Sequence, residues 1–149
     1  MKIIVDTNIV FSAILNTSGK IGDLLFNSGE IFQFYTPSFL RVEITRNYPK
    51  LQEMSDFDEI LLNETVFYVY NLIKFISDEQ IPFNIWHKCI PLVRDVDMDD
   101  LAFLALNEHL NGKLWTGDKP LYKGLKAKGY EEIVSTDELL KIRDEYTIS

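Results

Sequence analysis

Apolar positions along this chain change period several times, and each change marks a new element. Lys2–Val5 is an almost unbroken apolar run, which predicts a short buried strand. Ile9, Val10, Ala13 and Ile14 then recur at helical spacing across Thr7–Leu15. Asn16-Thr17-Ser18-Gly19 breaks that helix, and residues 20–26 predict a second one that ends near Asn27-Ser28-Gly29. Residues 32–36 are strand-like. Pro37-Ser38 leads from them into a helix that carries Leu40, Glu43, Ile44 and Asn47 and is stopped by Pro49. Residues 56–76 show a longer helical pattern, with Leu61, Leu62, Val66, Val69, Leu72, Ile73 and Phe75 among its apolar positions, and predict a helical arm. Pro82 opens a helix through Trp86 and Ile90, and residues 97–109 form the next, closed by Asn111-Gly112. A strand at 113–116, a helix at 119–128 ended by Gly129, a short strand at 133–135 and a final helix at 137–146 complete the chain. Ser135 or Thr136 would cap the last helix. Strands alternating with helices in this way predict an α/β fold with a mostly parallel central sheet covered by helices on both faces.

The pattern contains no repeat and no low-complexity linker, and 149 residues at 46% hydrophobic content suit one domain spanning 1–149. No run approaches the roughly 18 apolar residues of a membrane span. The only cysteine, Cys89, has no partner for an internal disulfide, and Asp6 interrupts the only apolar run at the N-terminus. A cytoplasmic protein is the expectation. A formal charge of -8 excludes a protein that coats nucleic acid through its overall field, but leaves room for a nucleic-acid enzyme with local basic contacts.

Four acids stand out by position. Asp6 follows the first strand, Glu43 lies at the edge of the buried stripe of its helix, Asp100 precedes Leu101-Ala102-Phe103-Leu104, and Asp118 closes Thr116-Gly117-Asp118 after a strand. Ends of strands are where α/β sheets build sites. Asp6 and Asp118 also suit helix N-caps, and the acidic run Asp95, Asp97, Asp99, Asp100 suits the positive end of a helix dipole. Asp100 shares the core-facing side with Leu104, four residues on, so it is the acid of that run expected to point inward. Asp97 is the candidate for an outer position, and Asp97 and Asp99 stand beside Asp100 as alternatives for the third acid. Adjacent strands would gather these carboxylates around one pocket. Such a set of hard oxygens calls for Mg²⁺ or Mn²⁺.

Taken in order, Val5-Asp6-Thr7-Asn8, Glu43, Asp100 ahead of its apolar run, and Leu114-Trp115-Thr116-Gly117-Asp118 resemble the PIN-domain ribonucleases over nearly the full length. The resemblance is strongest to the VapC-like toxins of toxin–antitoxin pairs. It implies Asp6, Glu43, Asp100 and Asp118 as the catalytic and metal-site acids, Asn8 and Thr116 as polar supports, and the 56–76 arm as a flank of the cleft. It also implies an RNA substrate, a cognate antitoxin protein and a homodimer. Lys119, Lys123 and Lys126 share a helix face by their spacing, and with Arg41 and Arg46 are candidates for contacts to the RNA backbone. Phe11 and Tyr122 are candidates for stacking on bases. His87 and Cys89 are two apart and cannot converge on a metal from one helix, so Cys89 is expected to fill core. Two other readings use the same residues: a PIN-like scaffold that binds RNA or protein without cutting, and a different α/β phosphohydrolase with Asp6 as nucleophile.

Overall fold

In the computed structural model, which describes residues 1–148, strand β1 (Lys2–Val5) lies at the centre of a five-stranded sheet. Ile3, Ile4 and Val5 are all fully buried, as a strand covered on both faces requires. Helices α1 (Thr7–Leu15) and α2 (Lys20–Asn27) lead to β2 (Gln33–Pro37). Next come α3 (Leu40–Arg46), α4 (Tyr48–Ser55), α5 (Glu59–Tyr70) and β3 (Ile73–Ile76). Then α6 (Phe83–Val93), α7 (Leu101–Leu110), β4 (Lys113–Trp115), α8 (Lys119–Ala127), β5 (Ile133–Val134) and α9 (Thr136–Ile148) follow. Ser149, the last residue of the domain expected over 1–149, lies outside the described residues.

The strand order is β3-β2-β1-β4-β5, and every pair is parallel, with Ile3 opposite Phe34 and Val5 opposite Trp115. The chain therefore builds outwards from β1 to β3, crosses back, and builds outwards again through β4 and β5. Right-handed crossovers in opposite directions put their helices on opposite faces. The packing agrees. α1 touches α2, α4 and α5, and α2 touches α9; α7 lies across β1, β2 and β4 and packs against α6, which also meets α8. Loops leaving β1 and β4 diverge to opposite faces, so a crevice opens between their carboxyl ends. This is the switch point at which open α/β sheets place their sites.

Three local features depart from the expectations. The helical arm expected over 56–76 ends at Tyr70, and Ile73–Ile76 is edge strand β3, with Phe34 opposite Ile73. Its apolar residues continue the helical count of α5, but Asn71 and Leu72 form a turn and Ile73 and Phe75 return to the sheet. Pro49 does not stop a helix. It occupies the first turn of α4, where its missing N–H costs nothing. Asn111, and not Gly112, takes the left-handed conformation that ends α7, at φ 54. Gly112 is required for another reason: a Cβ there would stand 2.7 Å from the Lys2 carbonyl oxygen of the neighbouring strand.

The final helix starts as expected. The Ser135 hydroxyl accepts from Glu138 N–H at 3.2 Å while Glu138 Oε1 accepts from Ser135 N–H at 3.1 Å, a reciprocal capping box. Among the described residues no single helix is long and apolar enough to cross a membrane. Only α1 and α2 together, bent by 100°, have the composition.

Candidate active site

The loop after β1, the first turn of α3, the 3₁₀ turn Met98–Asp100 and the loop after β4 meet in one cleft. It is lined by Asp6, Thr7, Asn8, Glu43, Asp97, Asp99, Asp100, Phe103 and Asp118. The structure thus brings the four acids singled out in the sequence, with Asn8 and Asp97, to a single place at the switch point. Asp6 reaches it because β1 and β4 are in register there: Asp6 N–H donates to the Trp115 carbonyl at 3.4 Å, three residues before Asp118.

Asp6 and Asp118 also cap helices, as their positions suggest. Asp6 Oδ1 accepts from Ile9 N–H at 2.9 Å, and Asp118 Oδ1 accepts from Leu121 N–H at 3.1 Å. Each cap uses one oxygen of the carboxylate, so capping and lining the cleft are compatible. Thr116 ties the two together: its hydroxyl accepts from Asp118 N–H at 3.0 Å and hydrogen-bonds the Asp6 carboxylate. Asp97 Oδ1 accepts from Asp99 N–H at 2.9 Å and so shapes the 3₁₀ turn that presents Asp100. Glu43 Oε1 takes the Thr7 hydroxyl at 2.5 Å, bridging α3 to the start of α1. Nothing in the sequence marks Thr7 for that role beyond its place between Asp6 and Asn8.

Asp100 is different. It stands at the N-cap of α7 but in helical backbone conformation, and its side chain makes no cap bond. Its Oδ2 is buried and unpartnered, one of two such side-chain oxygens among the described residues; the other is Asn107 Oδ1. Burial, reinforced by the charges of Asp97, Asp118, Asp6 and Asp99, pushes the Asp100 carboxyl up to about 7. Burial likewise pushes Asp6 up to about 6, against hydrogen bonds from Thr116 and Ile9 that favour its charged form. A buried oxygen without a donor, among carboxylates that raise one another's proton affinity, is a cation-seeking arrangement.

The donors are carboxylate oxygens, the chemistry that suits Mg²⁺ or Mn²⁺. Among the described residues no three acidic, histidine or cysteine side chains have closed on a common point. The acids line the cleft with room between them, and its volume of about 160 Å³ exceeds the roughly 30 Å³ share of one water several-fold. A hydrated divalent ion fits both the space and the ligand type. Cys89 is fully buried and its thiol is pushed up to about 11 by that burial, while His87 is exposed, so the pair forms no second centre.

The cations expected to meet an anionic substrate divide into two sets. Lys126 pairs with Glu131 at 3.0 Å, Lys113 with Glu132 at 3.1 Å, and Lys128 with Asp95. Lys119 and Lys123 are exposed, make no ion pair among the described residues, and stand directly beyond Asp118 on α8. Arg41 lies over the Phe75 ring, 3.9 Å from its centroid, and is held to β3 by that contact. Arg46 is exposed at the end of α3. Of the aromatic candidates, Phe11 is half-buried with Lys50 over its ring, and Tyr122 donates its hydroxyl to Glu138 Oε1 at 2.5 Å.

Comparison with known proteins completes the description. The family model described as PIN domain matches residues 4–138. No curated protein matches the chain. Among solved structures, the fold is similar to that of a chain in the crystal structure of VapBC2 from Rickettsia felis bound to a DNA fragment from their promoter. The TM-score is 0.66 at 13% sequence identity, over 91% of this chain and 97% of that one.

Proposed function

This chain belongs to the PIN domain family, a family of nucleases, and on that premise we propose that it is a metal-dependent endoribonuclease acting as the toxin of a toxin–antitoxin pair in the cytoplasm. The observation that carries the reading is the unpartnered Asp100 oxygen in a cleft shared with Asp6, Asp118 and Glu43. Asp6, Asp100 and Asp118 would hold Mg²⁺ or Mn²⁺. When bound, the ion would lower the pKa of a coordinated water and offset charge on the phosphate oxygens. The protein's own residues do the rest. Thr116 holds the Asp6 carboxylate in place and Thr7 fixes Glu43, which would orient the attacking water or, in a two-ion site, hold the second ion. Asn8, beside Asp6, is a polar contact to the substrate.

Lys119 and Lys123 supply the local positive charge that an acidic chain needs to hold RNA, with Arg46 and the stacked Arg41 at the α3 side. Lys126, already paired, is a weaker candidate. The reading extends to a cognate antitoxin and a homodimer. Ile60, Leu61, Phe67 and Tyr68, large apolar side chains exposed on the outer side of α5, offer a surface for such a partner. The non-cleaving scaffold is disfavoured by the complete acid set. The phosphohydrolase with Asp6 as nucleophile is disfavoured by the burial of Asp6, which is 4% exposed and engaged by Ile9 and Thr116.

The test is incubation of the purified protein with end-labelled single-stranded RNA in Mn²⁺, Mg²⁺ or EDTA. Internal cleavage that needs the ion, stops in EDTA and returns on re-addition is the expected result. Cleavage indifferent to EDTA, or none with either ion while the protein is folded, would overturn the reading.

A further inference from the structure

Beside the acidic cleft, and sharing Asp118 with it, runs a second groove of about 360 Å³ between the start of α2 and the start of α8. Ile21, Gly117 and Tyr122 give it an apolar wall, and Thr116, Ser135, Thr136 and the carboxylates of Asp118 and Asp137 complete the lining. Lys119 and Lys123 stand on its rim, exposed and with no ion pair among the described residues. Lys20 faces them across the groove, 3.5 Å from the exposed Asp137. In a chain of net charge -8, two unpaired ammonium groups beside an aromatic wall give this groove a local affinity for anions.

The Tyr122 ring is held in place from its far end. Its hydroxyl donates to Glu138 Oε1 at 2.5 Å, and that same oxygen accepts from Ser135 N–H at 3.1 Å in the capping box of α9. The ring is therefore a fixed aromatic wall, and not a side chain that must be ordered when something binds. Lys126 Nζ lies 5.6 Å from its centroid and is itself paired with Glu131, so the free ammonium groups at the groove are those of Lys119 and Lys123. A flat π surface with ammonium groups along its rim takes a base attached to phosphates.

From this arrangement we infer that the groove binds the unpaired base of the nucleotide next to the phosphate in the acidic cleft, with Tyr122 as the stacking surface and Lys119 and Lys123 on the flanking phosphates. The inference rests on the nuclease reading for its choice of RNA, but concerns binding alone. A base that lies flat on the Tyr122 ring has left the stack of its own helix, which a base held in a duplex does not do. The site thus selects single-stranded or looped RNA and makes Tyr122 a determinant of which base is accepted.

The test is fluorescence anisotropy with a labelled, unstructured RNA decanucleotide in Ca²⁺, read as affinity without turnover. Tyr122→Leu, which keeps apolar bulk at a half-buried position, is expected to weaken binding roughly 5- to 100-fold. Tyr122→Phe, which keeps the ring, should stay within about threefold. A strand of the same length without bases should bind the parent as weakly as Tyr122→Leu binds the normal strand, and Tyr122→Leu should not distinguish the two strands. Duplex RNA of the same sequence should gain nothing from Tyr122. Equal affinity of parent and Tyr122→Leu for the normal strand, an equal loss on the strand without bases, or no binding by the folded parent would each overturn the inference. Base-dependent binding without cleavage in Mn²⁺ would sustain it and remove the nuclease reading. Cleavage with binding indifferent to Tyr122 would do the reverse.

Discussion

Asp6, Asp97 and Asp118 each close a helix or turn with one carboxylate oxygen, and Glu43 takes the Thr7 hydroxyl, whereas Asp100 has a buried oxygen with no partner at all. The difference sets the order of mutational effects. Asp100→Asn is expected to lower metal-dependent RNA cleavage at least about 100-fold, and Asp97→Asn less than about tenfold, because only Asp100 is half-buried in the cleft. The reverse order in single-turnover assays would show that a neighbour in the acidic run is the third site acid. Asp6→Asn and Asp118→Asn should abolish cleavage in a folded protein, since Asn caps a helix about as well as Asp; circular dichroism and the same assay check both halves of that statement. The raised carboxyls also set a pH dependence in EDTA. With Asp100 moved from 3.8 to about 7 and Asp6 to about 6, the native state binds more protons than the unfolded state between about pH 4 and pH 7. Metal-free stability is therefore greatest at the acid end of that window and falls as pH rises through it. Asp100→Asn should flatten the fall and melt higher than the parent at pH 7 in EDTA, by a few degrees for about 1 kcal/mol. A melting temperature that rises between pH 4.5 and pH 7 in the metal-free parent would contradict the clustering of these acids.

At the scale of elements, what the sequence displayed depended on whether a local signal had a competitor. β1 and its acid were legible because a short β-branched run meets an Asp that also caps the next helix. β4 and Asp118 were legible because the run Leu114-Trp115 follows the Asn111-Gly112 break and leads, through Thr116-Gly117, to an Asp that again caps the next helix, so the candidate site could be assembled from strand ends without any contact being known. β3 was hidden because Val69, Leu72, Ile73 and Ile76 satisfy a helical count as well as a strand, and only pairing with Phe34 and Tyr35 decides between them. α4 was hidden because a proline that ends one helix looks the same as a proline in the first turn of the next. Partnership was the least legible feature. Lysines at helical spacing look alike in sequence, yet Glu131 and Asp95 occupy Lys126 and Lys128 and leave Lys119 and Lys123 free. Gly112 shows a tertiary reason behind a local signal. Read as a helix terminator, it would tolerate alanine with little loss at its negative φ. Read as the point where α7 returns beside β1, it would not. Gly112→Ala is expected to cost about 1–3 kcal/mol, as overpacking does, and to lower the melting temperature by several degrees with cleft residues untouched. A thermal melt within about 1 °C of the parent would show that the Lys2 backbone yields to the methyl group.

For the whole molecule, the charge of -8 leaves the attraction of any anionic substrate to local cations, and on the nuclease reading the salt dependence of RNA binding measures how local. Replacing Lys119 and Lys123 with Gln should flatten log K against log salt for single-stranded RNA by about 0.7 for each lost phosphate contact. Lys128→Gln, which breaks an existing ion pair, should leave the slope unchanged. Equal slopes in all variants would place the backbone contacts elsewhere. The strand order has a further consequence, in the time domain. β1 lies between β2 and β4, so the first residues of the chain pair on one side with a strand more than a hundred residues later. Asp6 and Asp118 face one cleft only after that pairing. Parallel pairing over such separations forms slowly, and a chain emerging from the N-terminus folds what it has before the rest arrives. A nascent chain that has not yet reached β4 has Asp6 but neither the strand that seats it nor the acid opposite. Interrupted synthesis, or loss of the C-terminal quarter to a protease, therefore leaves products that lack the cleft altogether, and a cell making this protein meets its full chemistry only when a molecule is nearly complete.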